Sequence, residues 1–287
     1  MNLPAQTLGM QATSEMDIPM SIVRTGWLTE RKPAIGVVHL RPLPGSPRYE
    51  GSLEDITEAA FRDAEAIVEG GMDGLLLENF GDTPFFPGAV PPTTVACMAD
   101  LAGQLRRRFP VPLGINVLRN DGHSALAIAV AVDAQFIRVN ILSGARVTDQ
   151  GIIEGIAPRL LRERQSLAAT DVQIWADVAV KHSGPLTPRS LQDEVADTIH
   201  RSHADAVIVT GAATGRPASP AEMSVTKQVA DQTPVLLGSG VTAENLQDWL
   251  PLADGFIVGT ALKEGGRTDR PVDPNAVRRF VDALRGR

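Results

Sequence analysis

An alternation that repeats eight times from residue 34 to the end constrains this chain more than any other feature: a short aliphatic or β-branched run, then a longer amphipathic stretch. Strands that read as unbroken apolar runs are buried on both faces, the condition of a parallel sheet covered by helices. The predicted strands are Ala34–His39, Gly74–Asn79, Leu113–Val117, Phe136–Asn140, Gln173–Val178, Ala206–Thr210, Val235–Gly238 and Gly255–Val258. The stretches Leu53–Val68, Thr93–Arg107, Gly122–Val132, Ile152–Ser166, Leu191–Ser202, Pro220–Asp231, Ala243–Leu250 and Pro274–Leu284 carry helix formers at helical spacing. Eight strand–helix units in 287 residues predict an α/β fold, a single (β/α)8 TIM barrel whose last strand closes on the first. Met72-Asp73, Ala204-Asp205 and Ala253-Asp254, each directly before a strand, point to a repeated turn that belongs to the scaffold. One boundary is expected near Pro33, between an irregular N-terminal extension, 1–33, and a barrel domain, 34–287.

Charge and cysteine usage narrow the partners. With a net charge of -7 and both signs interspersed, the surface lacks the basic field that nucleic acid or an anionic membrane requires. The lone cysteine, Cys97, allows neither a disulfide framework nor a cysteine-based zinc site within one chain, which fits a reducing compartment. No segment reads as a signal peptide or a membrane span, so a cytoplasmic protein is expected.

The strongest chemical signal is Leu237-Gly238-Ser239-Gly240-Val241-Thr242, a glycine turn directly after the seventh strand. Glycine lets backbone amides approach an anion closely, and the start of the helix that follows adds a favourable dipole. Strand eight ends in Val258-Gly259-Thr260-Ala261-Leu262-Lys263, and the turns after strands seven and eight are where barrels of this kind commonly hold phosphate. Gly238, Ser239, Gly240, Gly259 and Thr260 are therefore the candidate phosphate-binding residues, with Lys263 either beside them or simply solvated.

Polar residues at the carboxyl ends of barrel strands face the mouth, and nearly every strand here supplies one. Candidate catalytic residues are His39, Glu78, Asn116, Arg138, Asp177 and Lys181. Candidate substrate-binding residues are Asn79, Asn120, Asn140, His182, Thr210 and Gly211, with Arg119, Asp121 and Thr214-Gly215 nearby. A carboxylate such as Glu78 or Asp177 beside Arg138 or Lys181 suits proton transfer next to a carbonyl, although either carboxylate equally suits an ion pair between strands. Lys181 can alternatively form a Schiff base, and His39, Asp177 and His182 are a possible divalent-metal set, though no cofactor is required. The polar stretch Gly144–Gly151 reads as a lid or as the cap of the following helix, through Thr148 or Asp149. The aromatics of Phe80–Phe86 can roof a ligand or pack beneath their loop.

Several longer strings are also recognisable. Gly36-Val37-Val38-His39-Leu40-Arg41-Pro42-Leu43-Pro44-Gly45-Ser46-Pro47, Glu78-Asn79-Phe80-Gly81-Asp82, Asn116-Val117-Leu118-Arg119-Asn120-Asp121 and Arg138-Val139-Asn140 resemble the BtpA/SgcQ family. So do Thr148-Asp149-Gln150-Gly151, Ala176-Asp177-Val178 with Lys181-His182, and Gly238-Ser239-Gly240 with Thr242, a likeness that spans roughly 34–284. The resemblance implies a barrel of the ribulose-phosphate-binding group. It also implies contexts that differ between branches: photosystem I biogenesis in cyanobacteria, a sugar-phosphate gene cluster in other bacteria. The expected activity is that of a sugar-phosphate isomerase or lyase working by acid/base chemistry on a small phosphorylated ligand, in a homo-oligomer. The competing expectations are a non-catalytic assembly or stability factor and a metal-dependent phosphohydrolase.

Overall fold

Residues 31–211 and 218–287 are described in the computed structural model. The first half of the chain runs β1 (Ala34–His39), α1 (Leu53–Glu69), β2 (Gly74–Glu78), α2 (Pro92–Arg108), β3 (Leu113–Asn116), α3 (Gly122–Val132), β4 (Phe136–Val139), β5 (Ala145–Thr148), β6 (Gly151–Glu154) and α4 (Ala157–Ser166). The second half runs β7 (Gln173–Val178), β8 (Ser183–Pro185), α5 (Leu191–Ala196), β9 (Ala206–Val209), α6 (Pro220–Ala230), β10 (Val235–Leu237), α7 (Leu246–Trp249), β11 (Gly255–Val258) and α8 (Pro274–Arg285). Eight of the strands close into a parallel barrel in the order β1-β11-β10-β9-β7-β4-β3-β2. The other three form a small antiparallel sheet, β6-β5-β8, carried by the connections after β4 and β7.

Apolar side chains on the two faces of each strand build two cores. Inside the barrel, Ile35, Val37, Leu76, Phe136, Trp175, Ile208, Leu236 and Ile257 pack together, with the Phe136 and Trp175 rings stacked 3.7 Å apart. Gly114 makes room for them, because a methyl group there would sit 2.1 Å from the Phe136 ring. The larger core lies between barrel and helices, where Ile56, Ile67, Met98, Leu126, Leu160, Met223 and Phe280 cover the outward faces of the strands.

The aspartates before β2, β9 and β11 share one job. Asp73 accepts the backbone N–H of Ala34 at 2.8 Å, Asp205 that of Ile174 at 2.7 Å, and Asp254 that of Val235 at 2.8 Å. Each carboxylate thus satisfies the opening amide of the neighbouring strand, a group that would otherwise be left unpaired at the barrel floor. Gln135 does the same for Leu113 at 2.9 Å. At the same end, Lys32 donates to the carbonyls of Leu250 and Ala253.

Three predicted elements are corrected. The helix expected from Ile152 begins at Ala157, because residues 145–154 form a hairpin, with Val147 paired to Ile152 and Thr148 to Gly151. Gly151 at φ 99° supplies the left-handed conformation that this tight turn needs, so Thr148 and Asp149 are turn residues and cap no helix. The helix expected over Ala243–Leu250 shrinks to α7, because Thr242 and Asn245 hydrogen-bond to each other's backbone instead. The helix expected to Ser202 leaves α-geometry after Ala196 and ends in a π-turn over Asp197–Arg201.

Lys263, read from sequence as a loop lysine, is buried and ion-paired with Asp63 of α1 at 2.5 Å. Asp63 also accepts the Val272 amide at 2.9 Å, which ties the segment after β11 to the first helix. Removing one partner leaves a buried charge uncompensated, so Lys263→Met is expected to cost about 3–5 kcal/mol in urea unfolding. Adding Asp63→Asn should return most of that loss, and a double variant no more stable than the single one would refute the account.

Candidate functional site

Strand register builds the mouth of the barrel. His39 lies opposite Glu78 on the neighbouring strand, and Glu78 lies opposite Asn116 on the next, so three consecutive strand ends present polar side chains at one level. The Glu78 carboxylate accepts from Asn116 Nδ2 at 2.6 Å and stands 3.8 Å from both His39 Nε2 and Arg138 Nη1. Arg138 donates through Nε and Nη2 to the two Asp177 oxygens, at 3.1 Å each, and Asn140 Nδ2 adds a third bond to Asp177 at 2.5 Å. Asp177 is therefore consumed in orienting Arg138. Burial works against the Arg138 charge, but the Asp177 and Glu78 carboxylates outweigh it and hold its pKa above the ordinary arginine value.

Lys181 is clamped by its backbone: its N–H donates to Thr210 Oγ1 at 3.1 Å and its carbonyl accepts from Arg119 Nη2 at 2.6 Å. Desolvation first, and the Arg138 charge second, draw the Lys181 pKa below that of a free lysine. Its neighbour His182 occupies a left-handed backbone conformation at φ 57° and is exposed.

Glu78, Arg138 and Lys181 line one cavity of about 260 Å³ together with the two glycine turns, Gly238–Thr242 and Gly259–Ala261. Gly240 holds φ 74°, and Asn245 Nδ2 bonds its carbonyl at 2.9 Å, which fixes the shape of the first turn. The Thr242 amide is spent on Asn245 Oδ1, and α7 is too short to bring a helix dipole, so the turn meets the cavity with its glycine backbone and with Ser239. After β11, Thr260–Leu262 form a 3-10 turn whose opening amides have no partner within the turn. His39 closes the cavity on the β1 side, its ring tilted against Phe80 at 4.7 Å.

The remaining candidates are drawn into the framework. Asn79 accepts the Leu118 amide at 2.7 Å and donates to Asp82, while Asn120 exchanges bonds with the Ile141 backbone, so both side-chain amides position loops. Asn116, Asn140 and Asp177 buttress the cavity from behind its lining. Gly211 adjoins Thr210, and Thr214-Gly215 lies outside the described residues. The possible metal set is not assembled: Asp177 is occupied by Arg138 and Asn140. Among the described residues no group of three or more His, Cys, Asp or Glu could hold a metal ion. Sequence reasoning missed the clamp made by Asn245, for which the Thr242-x-x-Asn245 spacing was the available signal. It also gave Arg119 no role, although Arg119 is buried under the Lys181 backbone.

Among the described residues, three buried polar atoms around the mouth have no hydrogen-bond partner: His39 Nδ1, Arg119 Nε and Asn140 Oδ1. Unpaired groups of this kind are costly and mark places where a ligand or water completes the hydrogen bonding. Burial first, then the Lys263 and Lys181 charges, push the His39 pKa well below that of free histidine, so the ring is neutral at pH 7. The unfolded chain then binds the proton that the folded chain refuses, and stability falls as pH drops below the unfolded value of about 6.5. His39→Gln is expected to flatten this slope by up to about 1.4 kcal/mol per pH unit between pH 6.5 and 5. Parallel urea-unfolding curves for wild type and variant across that range would contradict it.

The comparisons agree with this architecture. The Photosystem I biogenesis protein BtpA of Synechocystis is 46% identical over 252 residues, 88% of this chain and 88% of that protein. Among solved structures, N-(5'-phosphoribosyl)anthranilate isomerase from Pyrococcus furiosus superposes with a TM-score of 0.53 at 13% identity, covering 90% of this chain and all of that one. Orotidine 5'-phosphate decarboxylase from Pyrococcus horikoshii superposes with a TM-score of 0.54 at 15% identity, covering 88% of this chain and all of that one. At such identities the likeness concerns the fold alone, a closed parallel (β/α)8 TIM barrel. The family model described as the BtpA family matches residues 30–286, and the chain belongs to that family.

Proposed function

We propose that the chain is an enzyme that moves a proton next to a carbonyl on a small phosphorylated metabolite, as a sugar-phosphate isomerase or lyase does. The observation that carries this reading is the sharing of one cavity by the two glycine turns and by Glu78, Arg138 and Lys181. In it, the backbone after β10 and β11 takes the phosphate. Glu78 takes up or returns the proton, since it lines the cavity while Asp177 is tied to Arg138. Arg138 and Lys181, two cations that line the cavity, stabilise the negative charge that develops on the carbonyl oxygen. The two superposable barrels act on phosphate esters by their names, one as an isomerase and one as a decarboxylase, which supports the ligand class and leaves the reaction open between those types.

Deuterium entry from heavy water into the carbon beside the carbonyl, followed by NMR over a panel of aldose and ketose phosphates, tests the reading. Wild type is expected to exchange at least one member. Glu78→Gln should slow that exchange by about 100-fold or more, while the same ester still raises the melting temperature. Exchange that survives Glu78→Gln, or a wild type that exchanges none of the panel, would count against it. The name of the Synechocystis relative favours a second reading, a non-catalytic assembly or stability factor. Full rescue of a deletion strain by the Glu78→Gln protein would favour that one.

A further inference from the structure

A second cavity, of about 330 Å³, lies against the first. His39 and Phe80 line both, and the segment after β11 walls both, through Gly266 on one side and Thr268 to Pro271 on the other. Its lining from α1 mixes apolar Ile56 and Ala59 with charged Asp55, Arg62 and Asp63, and Leu40 and Tyr49 add further apolar surface. Its charge sets it apart from the chain as a whole, which carries -7. At the base Lys263 and Asp63 neutralise each other, and at the rim Asp269 is held by Arg267. Arg41, Arg48, Arg62 and Arg270 then outnumber the remaining acids Glu50 and Asp55, with Asp269 also near enough to Arg270 to interact through charge. Among the described residues no carboxylate pairs with Arg41, Arg62 or Arg270, and Arg48 donates to neutral acceptors, the Gly81 carbonyl at 3.1 Å and the Thr83 hydroxyl.

Guanidinium groups are planar forks suited to carboxylate and phosphate, and several converging on one concave surface without acid partners leave their donors free for an oxyanion. We infer that this cavity is a second anion subsite, and that the ligand is bipartite: a phosphate in the glycine turns and a second phosphate or carboxylate among Arg41, Arg62 and Arg270. His39 sits at the junction, since it lines both cavities. The inference rests on the proposed phosphate reading and extends it to the far end of the substrate.

Tungstate, an oxyanion located by its anomalous scattering, tests both subsites separately in crystals of the full chain. Two peaks per chain are expected, one against Gly240 and Gly259 and one among Arg41, Arg62 and Arg270. Only the first should remain in Arg41→Gln/Arg62→Gln. A single wild-type peak at the glycine turns overturns the second subsite and leaves the phosphate reading standing. A peak confined to the arginine cavity overturns the bipartite ligand together with that reading, as does no peak at all. In solution, calorimetry with the bisphosphates of propane-, pentane- and heptanediol against the matching monophosphates should show at least one pair in which the bisphosphate binds about 10-fold tighter or more. That advantage is expected to vanish in the double variant with monophosphate affinity unchanged. Equal affinities for all three pairs in wild type, with the monophosphates bound, would overturn the second subsite alone.

Discussion

Pairing of β1 with β11 is the contact on which the candidate site depends. It joins the first strand of the chain to the last barrel strand, with Gly36 in register with Val258, and so carries His39 beside the turn that follows β11. The approach is close: a methyl group at Gly259 would stand 2.8 Å from the His39 ring. Without that closure the charged side of the mouth, on β1, β2 and β4, would have no fixed relation to the glycine turns after β10 and β11. Parallel closure also explains why so many polar groups meet there. All eight barrel strands end at the same rim, and the short distance between neighbouring strands forces their last side chains into one small volume.

Those polar groups are expensive to bury, and the structure shows how the expense is contained. Arg138 is matched by a two-point bond to Asp177, and Asp177 in turn by Asn140, so this buried cation is both neutralised and held still. Such a network adds little net stability compared with apolar packing. What it provides is a guanidinium that points in one direction before any ligand arrives, which is the condition for electrostatic stabilisation without reorganisation. Lys181 is fixed differently, through hydrogen bonds to its backbone N–H and carbonyl.

Most of the barrel was legible in the sequence, because doubly buried strands leave contiguous apolar runs that need no tertiary knowledge to recognise. The hairpin of β5 and β6 was not. Its strands are four residues each, and Ile152, Ile153 and Ile156 fall at a spacing that also suits a helix. The division of labour at the mouth was hidden for another reason. Which carboxylate binds Arg138 depends on the register and level of β4 against β7, and nothing within either strand announces it. Lys263 and Asp63 are 200 positions apart, so a buried ion pair between them was beyond any local pattern.

The aspartates at the barrel floor carry a wider implication. Asp73, Asp205 and Asp254 secure the strand starts with side chains that never reach the opposite end. The floor is thus anchored by carboxylates that read the backbone, whereas the mouth is braced by a separate set of side-chain bonds around Asn79, Asn120 and Asp177. A lineage that keeps the lower pole can revise the upper one, position by position, without having to reinvent the barrel. Relatives that share this floor can therefore diverge widely in the residues of their mouths.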